Sequence, residues 1–81
     1  MKLSYIKRLE PGDLIAIKGA RDFKNFSHLR QVINVSAQFL LLAPPHGRKR
    51  KTRISLNDYH KLQLYRAAEH KEIVGWKRAN P

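Results

Sequence analysis

Short apolar alternations separated by turn residues dominate this chain, and few stretches keep a helical period. "LIAIKGA" begins a run rich in apolar and β-branched residues, predicting a first strand at about 14–19 that Gly19 ends. Before it, "EPGD" (10–13) is a turn, in which Pro11 presets φ and Gly12 supplies the positive φ of a type II turn. "ARDFKNFS" (20–27) has no sustained period and reads as a loop. "HLRQVINVSA" (28–37) alternates, with Leu29, Ile33, Val35 and Ala37 on one face and Arg30, Val32, Asn34 and Ser36 on the other. "QFLLLA" (38–43) is apolar on both faces, as an interior strand would be, and its link to the strand before it must be tight, around Ser36 to Gln38. "PPHG" stops the pairing, because proline cannot donate to a ladder. "RKTRISL" (50–56) then returns with Thr52, Ile54 and Leu56 inward and Lys51, Arg53 and Ser55 outward.

Beyond Leu56 the pattern admits two readings. "SLND" matches a capping pattern with Ser55 as N-cap. It opens either a single turn before a fifth strand, "KLQLY", or a helix running to about Val74. The first is preferred, with a helix from about 66 to 74. Glu69 falls in the middle of the apolar stripe that Leu62, Tyr65, Ile73 and Trp76 would form, and Gly75 interrupts it. The expectation is a mainly β protein, a small five-stranded barrel with a short C-terminal helix or extension. The alternative is α+β, four strands plus a C-terminal helix.

The order of turn "PGD", strand, long loop, two closely linked strands, basic turn and a strand ending "RISLND" resembles the small SH3-like barrels, with their KOW-type and Sm-like relatives. "LEPGDLIAIKG" looks like the opening of their first strand. The resemblance covers about residues 9–66, leaving 67–81 as an extension, and is one of pattern. "RQVINV" stands where the KOW pattern commonly has a G-x-V step. Such barrels bind peptides or nucleic acids, so the resemblance implies a fold and no single function.

Eighty-one residues are read as one domain. The absence of cysteine removes disulfides and thiolate metal sites, and points to a reducing, cytoplasmic setting. The beginning lacks a signal-peptide pattern, and "FLLLA" is far shorter than the ~20 residues a membrane span needs. Charge changes the picture most. Seventeen Lys and Arg against six Asp and Glu give a net +11, and the isoelectric point is near 10.6. Self-repulsion on that scale is relieved by a polyanion.

The candidate grip is "PPHGRKRKTRISL" (44–56) with Arg48, Lys49, Arg50, Lys51 and Arg53, assisted by Lys18, Arg21 and Lys24 from the first long loop. Arg supplies forked donors that match a phosphate, and Lys a compact charge. Phe23 and Phe26 flank Lys24 and Asn25, a pattern suited to stacking on unpaired bases, though packing serves as well for both. Trp76, next to Lys77 and Arg78, more simply closes the end of the barrel. The four histidines, at 28, 46, 60 and 70, lack ligand spacing, so no metal or cofactor is expected, and His46 reads as an additional cation. Glu69, His70, Lys71 and Glu72 read as an exposed helical turn with local charge pairing. The expectation is a non-catalytic RNA- or DNA-binding module with weak sequence specificity and no membrane role. An adaptor for an acidic protein, of the kind a mobile element directs at a host complex and with "LIAIK" as a strand-accepting edge, is the second reading. A small ribonuclease using His46 or His60 is the third.

Overall fold

The computed structural model describes residues 1–44 and 49–80. After a one-turn helix α1 (Leu3–Ile6) come strands β1 (Leu14–Ile17), β2 (Leu29–Val35), β3 (Phe39–Leu42) and β4 (Thr52–Ser55). A second one-turn helix α2 (Tyr59–Leu62), strand β5 (Tyr65–Ala67) and helix α3 (His70–Ala79) complete the chain. The strands pair antiparallel in the order β4-β3-β2-β1-β5 and form a curled half-barrel. The fold is mainly β with a short C-terminal helix, as the alternation predicts.

Turn chemistry sets the connections. Asp13 N–H donates to Glu10 C=O with Gly12 between them at φ 97°, the geometry of the expected type II turn. Gly19 does the same at φ 80° where Ala20 N–H reaches Ile17 C=O. The β2–β3 link is Ser36 to Gln38, and Ser36 Oγ accepts from the Gln38 and Phe39 N–H groups.

β1 is buried on both faces, and its alternation feeds two cores. Ile15 joins Ile6, Leu9, Val32, Leu40, Leu42, Ile54, Leu56 and Leu62 inside the curl. Leu14 and Ala16 join Phe26 and Leu29 on the other side, where Ala68, Ile73 and Trp76 pack over them. With β2 and β5 on its flanks, β1 is an interior strand. "LIAIK" therefore offers no free edge.

Four expectations are corrected. The single alternation expected over 28–37 is broken by a bulge at Ile33: Val32 pairs with Leu42, and Asn34 with the next residue, Leu41. One extra residue reverses the parity, so Leu29 lies in the α3-side core while Val35 packs with Val32 in the other. The N-cap is Asp58, whose Oδ1 accepts from Lys61 N–H, and not Ser55, the last residue of β4. Because α2 consumes Tyr59–Leu62, the fifth strand falls at Tyr65–Ala67 and the helix begins at His70 instead of 66. The segment before residue 9, which the resemblance left outside the barrel, forms α1 and sends Ile6 into the core at 0% exposure.

Candidate nucleic-acid interface

The loop from Ala20 to His28 is built on Asp22. Its carboxylate accepts from the Lys24 and Asn25 N–H groups at 3.1 and 3.0 Å and from Ser27 Oγ at 2.5 Å. The Asn25 N–H and the Ser27 hydroxyl, in that order, hold its pKa down at about 2. Phe26 takes a left-handed φ of 54°, which turns its ring inward against Gly75 of α3. A Cβ on Gly75 would lie 2.7 Å from Phe26 Cε1 and closer still to Cζ. Gly75 thus permits the contact between helix and loop.

Beneath this loop lies a charged network that is fully closed. Asp22 N–H donates to His28 Nδ1 at 3.1 Å, so the ring proton sits on Nε2 and is donated to Glu72 Oε2. Arg66 grips Glu72 with both guanidinium nitrogens, 2.7 Å to Oε1 and 3.0 Å to Oε2, and also donates to Ala20 C=O. Glu69 N–H donates to the remaining site on Oε1 at 2.9 Å, half of a reciprocal capping box between Glu69 and Glu72. Glu72 is 0% exposed and His28 3% exposed. The Arg66 hydrogen bonds, foremost, hold the Glu72 carboxyl well below the usual carboxylate range against the burial that opposes them. Both nitrogens of His28 are committed to hydrogen bonds. The exposed "EHKE" turn expected from the sequence is corrected here: Glu72 is the buried tie between loop, β5 and helix. The sequence signal was Glu69-x-x-Glu72, a capping-box spacing ahead of an apolar helical face.

The loop, β2 and the start of the basic turn form one continuous groove of about 660 Å³ with the C-terminal half of α3. Lys24 and Arg30 bring charge to it, Trp76 brings an aromatic ring, and Ala43 and Pro44 close one end. Arg30 is held in place, its Nη1 donating to Ser27 C=O at 2.7 Å and to Leu29 C=O at 2.8 Å. Lys49, Arg50 and Lys51, all exposed, precede Arg53 of β4. Arg53 lies over the Phe39 ring, 4.8 Å from its centroid. His46 and Arg48 lie outside the described residues.

The remaining candidates separate. Lys24 joins the groove. Phe26, 9% exposed, is a residue of the second core that only edges the groove, which argues against stacking on a base. Phe23 is 46% exposed, edge-on to Phe26, with Lys71 Nζ 5.4 Å from its centroid. Arg21 is paired with Glu69 at 3.0 Å. Lys18 lines a different cleft, with Tyr5 and Arg8. Arg30 and Phe39 are the groove and strand residues that the sequence pattern did not single out, while Trp76 packs against the second core, as expected, and also lines the groove.

The acids explain why the cations stand unopposed. Asp13, Asp22 and Asp58 accept from backbone N–H groups, Glu69 pairs with Arg21 and Lys71, and Glu72 is buried. From Phe23 to Asn57 the chain has no Asp or Glu and seven Lys or Arg. That stretch includes all of β2, β3 and β4. Among the described residues no helix is long and apolar enough to cross a membrane. No family model, curated protein or solved structure matches the chain.

Proposed function

We propose that this protein is a non-catalytic nucleic-acid-binding module that grips the phosphates of a single strand along the β2–β4 side. The observation that carries the reading is the acid-free stretch from Phe23 to Asn57, of whose cations Lys24 and Arg30 line a groove with Trp76 in its wall. Lys24, Lys49, Arg50, Lys51 and Arg53 contact phosphates, Arg48 adds to them by its place in the run, and Trp76 offers a ring to an unpaired base. A groove whose aromatic residues are Trp76 and the largely buried Phe26, with no helix presented for a major groove, favours backbone contact over base reading. RNA and single-stranded DNA share the features this site engages.

Fluorescence anisotropy with labelled single-stranded and duplex 12-mers tests the proposal. Lys49, Arg50 and Lys51 changed together to Gln should weaken single-strand binding by about 10- to 100-fold, at roughly 0.5–1 kcal/mol for each exposed contact. Wild-type binding that is equally tight at low and moderate salt would overturn it.

A further inference from the structure

A second cationic cleft shares no lining residue with the groove. It has a volume of about 390 Å³ and is lined by Lys2, Tyr5, Arg8, Lys18, Tyr65 and Arg66, with Met1, Ser4 and Ala67 completing it. One wall is the N-terminal turn, whose Ile6 is fully buried beneath it and so fixes Tyr5 and Arg8 at the surface. The other wall is the β1–β5 pair, where Ile17 lies opposite Tyr65 and Lys18 N–H donates to Leu64 C=O at 2.8 Å. Both walls belong to the core, so the cleft is formed before any ligand arrives.

Its charges differ in how they are balanced. Arg66 already has a carboxylate partner in Glu72. Lys2, Arg8 and Lys18 have no acidic partner among the described residues, and no acid lines the cleft. Three like charges converging on one concavity repel one another until an anion enters. Tyr5, 38% exposed, and the half-buried Tyr65 add two rings beside those charges. Cations beside tyrosine rings match a ligand with a phosphate at one end and a flat aromatic ring at the other. A volume of about 390 Å³ lies at the small end of the range for small-molecule sites and suits one nucleotide. We infer that this cleft binds a nucleoside 5′-phosphate, with Lys2, Arg8 and Lys18 on the phosphate and Tyr5 and Tyr65 against the base. The ligand is either a free nucleotide or the 5′-phosphorylated end of a strand.

Amide chemical-shift titration of the full chain with uridine 5′-monophosphate, uridine, inorganic phosphate and octauridylates bearing a 5′-phosphate or a 5′-hydroxyl tests this. Saturable shifts at Lys2, Tyr5, Arg8, Lys18 and Tyr65 are expected with the monophosphate and not with uridine. The pair Arg8→Gln and Lys18→Gln should weaken binding about tenfold or more, and Tyr5→Ala should weaken the nucleotide more than inorganic phosphate. If only the 5′-phosphorylated octamer shifts these amides, the strand end is the ligand. If neither phosphorylated probe shifts them, or inorganic phosphate matches the nucleotide, the inference fails. The groove is read separately, from shifts at Lys24, Arg30 and Trp76 that both octamers should cause whatever happens in the cleft.

Discussion

Two side chains and one missing Cβ hold loop, sheet and helix together. Gly→Ala in a helix ordinarily stabilises by up to about 1 kcal/mol. At Gly75 the sign should reverse, because the new methyl meets the Phe26 ring, which is itself fixed by the loop and the second core. Gly75→Ala should destabilise by about 1–3 kcal/mol, read as a lower urea midpoint with an unchanged m-value. Glu72→Gln removes the charge that Arg66 grips and turns one acceptor oxygen into a donor facing N–H groups. Breaking a buried pair from one side costs about 3–5 kcal/mol, discounted here because the Arg66 side chain is 20% exposed, so about 2–4 kcal/mol is expected. A thermal melt unchanged by Glu72→Gln would contradict the buried network. Neither effect was legible in the sequence. A glycine reads as a break until its neighbour is known, and a glutamate flanked by charges reads as solvated until the helix start is placed.

At the scale of elements, the strands were legible to within a few residues because period-2 alternation and turn residues are both local. The bulge at Ile33 was not, since an extra residue shows only when the partner strand is aligned with it. Loop 20–28 was legible as irregular, and its order comes from Asp22 and the His28–Glu72–Arg66 tie. Acid should therefore release this element. The folded-state pKa of Asp22 is depressed, as is that of Glu72. Their contributions are complete above the unfolded carboxylate range of about 4 and fade as pH falls through the depressed folded values. Hydrogen exchange at the Lys24, Asn25 and Phe26 amides should accelerate between about pH 4 and 2, more than simple acid dependence of the chemistry allows. Asp22→Asn should bring that acceleration to neutral pH. Protection that stays flat across this window in the wild type would show that the loop is held by something else.

For the whole molecule, the candidate interface was half legible. The basic run and the excess of +11 stand in the sequence, but where that charge goes depends on which acids the fold consumes. Loop turns, caps and the buried tie take five of the six, so the opposing charge is withdrawn from the surface that β2, β3 and β4 present. Lys18 lies in the second cleft and Arg21 pairs with Glu69, while Lys24 stays and Arg30 and Trp76 join. This redistribution makes a quantitative statement about counterions. If Lys24, Arg48, Lys49, Arg50, Lys51 and Arg53 each neutralise one phosphate, binding to single strands with a 5′-hydroxyl should show a slope of log K against log salt of about −4.2, at about −0.7 per contact. Each single Lys or Arg→Gln change within that set should reduce the slope by about 0.7, and Lys18→Gln should leave it unaltered, because such strands carry no 5′-phosphate for the second cleft. Phe39→Leu, which removes the ring under Arg53, should lower affinity without changing the slope, because the charge remains and only its placement loosens. A slope that fell equally for Lys18 and for Lys51 would mean that phosphates track both sides of the molecule, and the acid-free side would lose its standing as the interface.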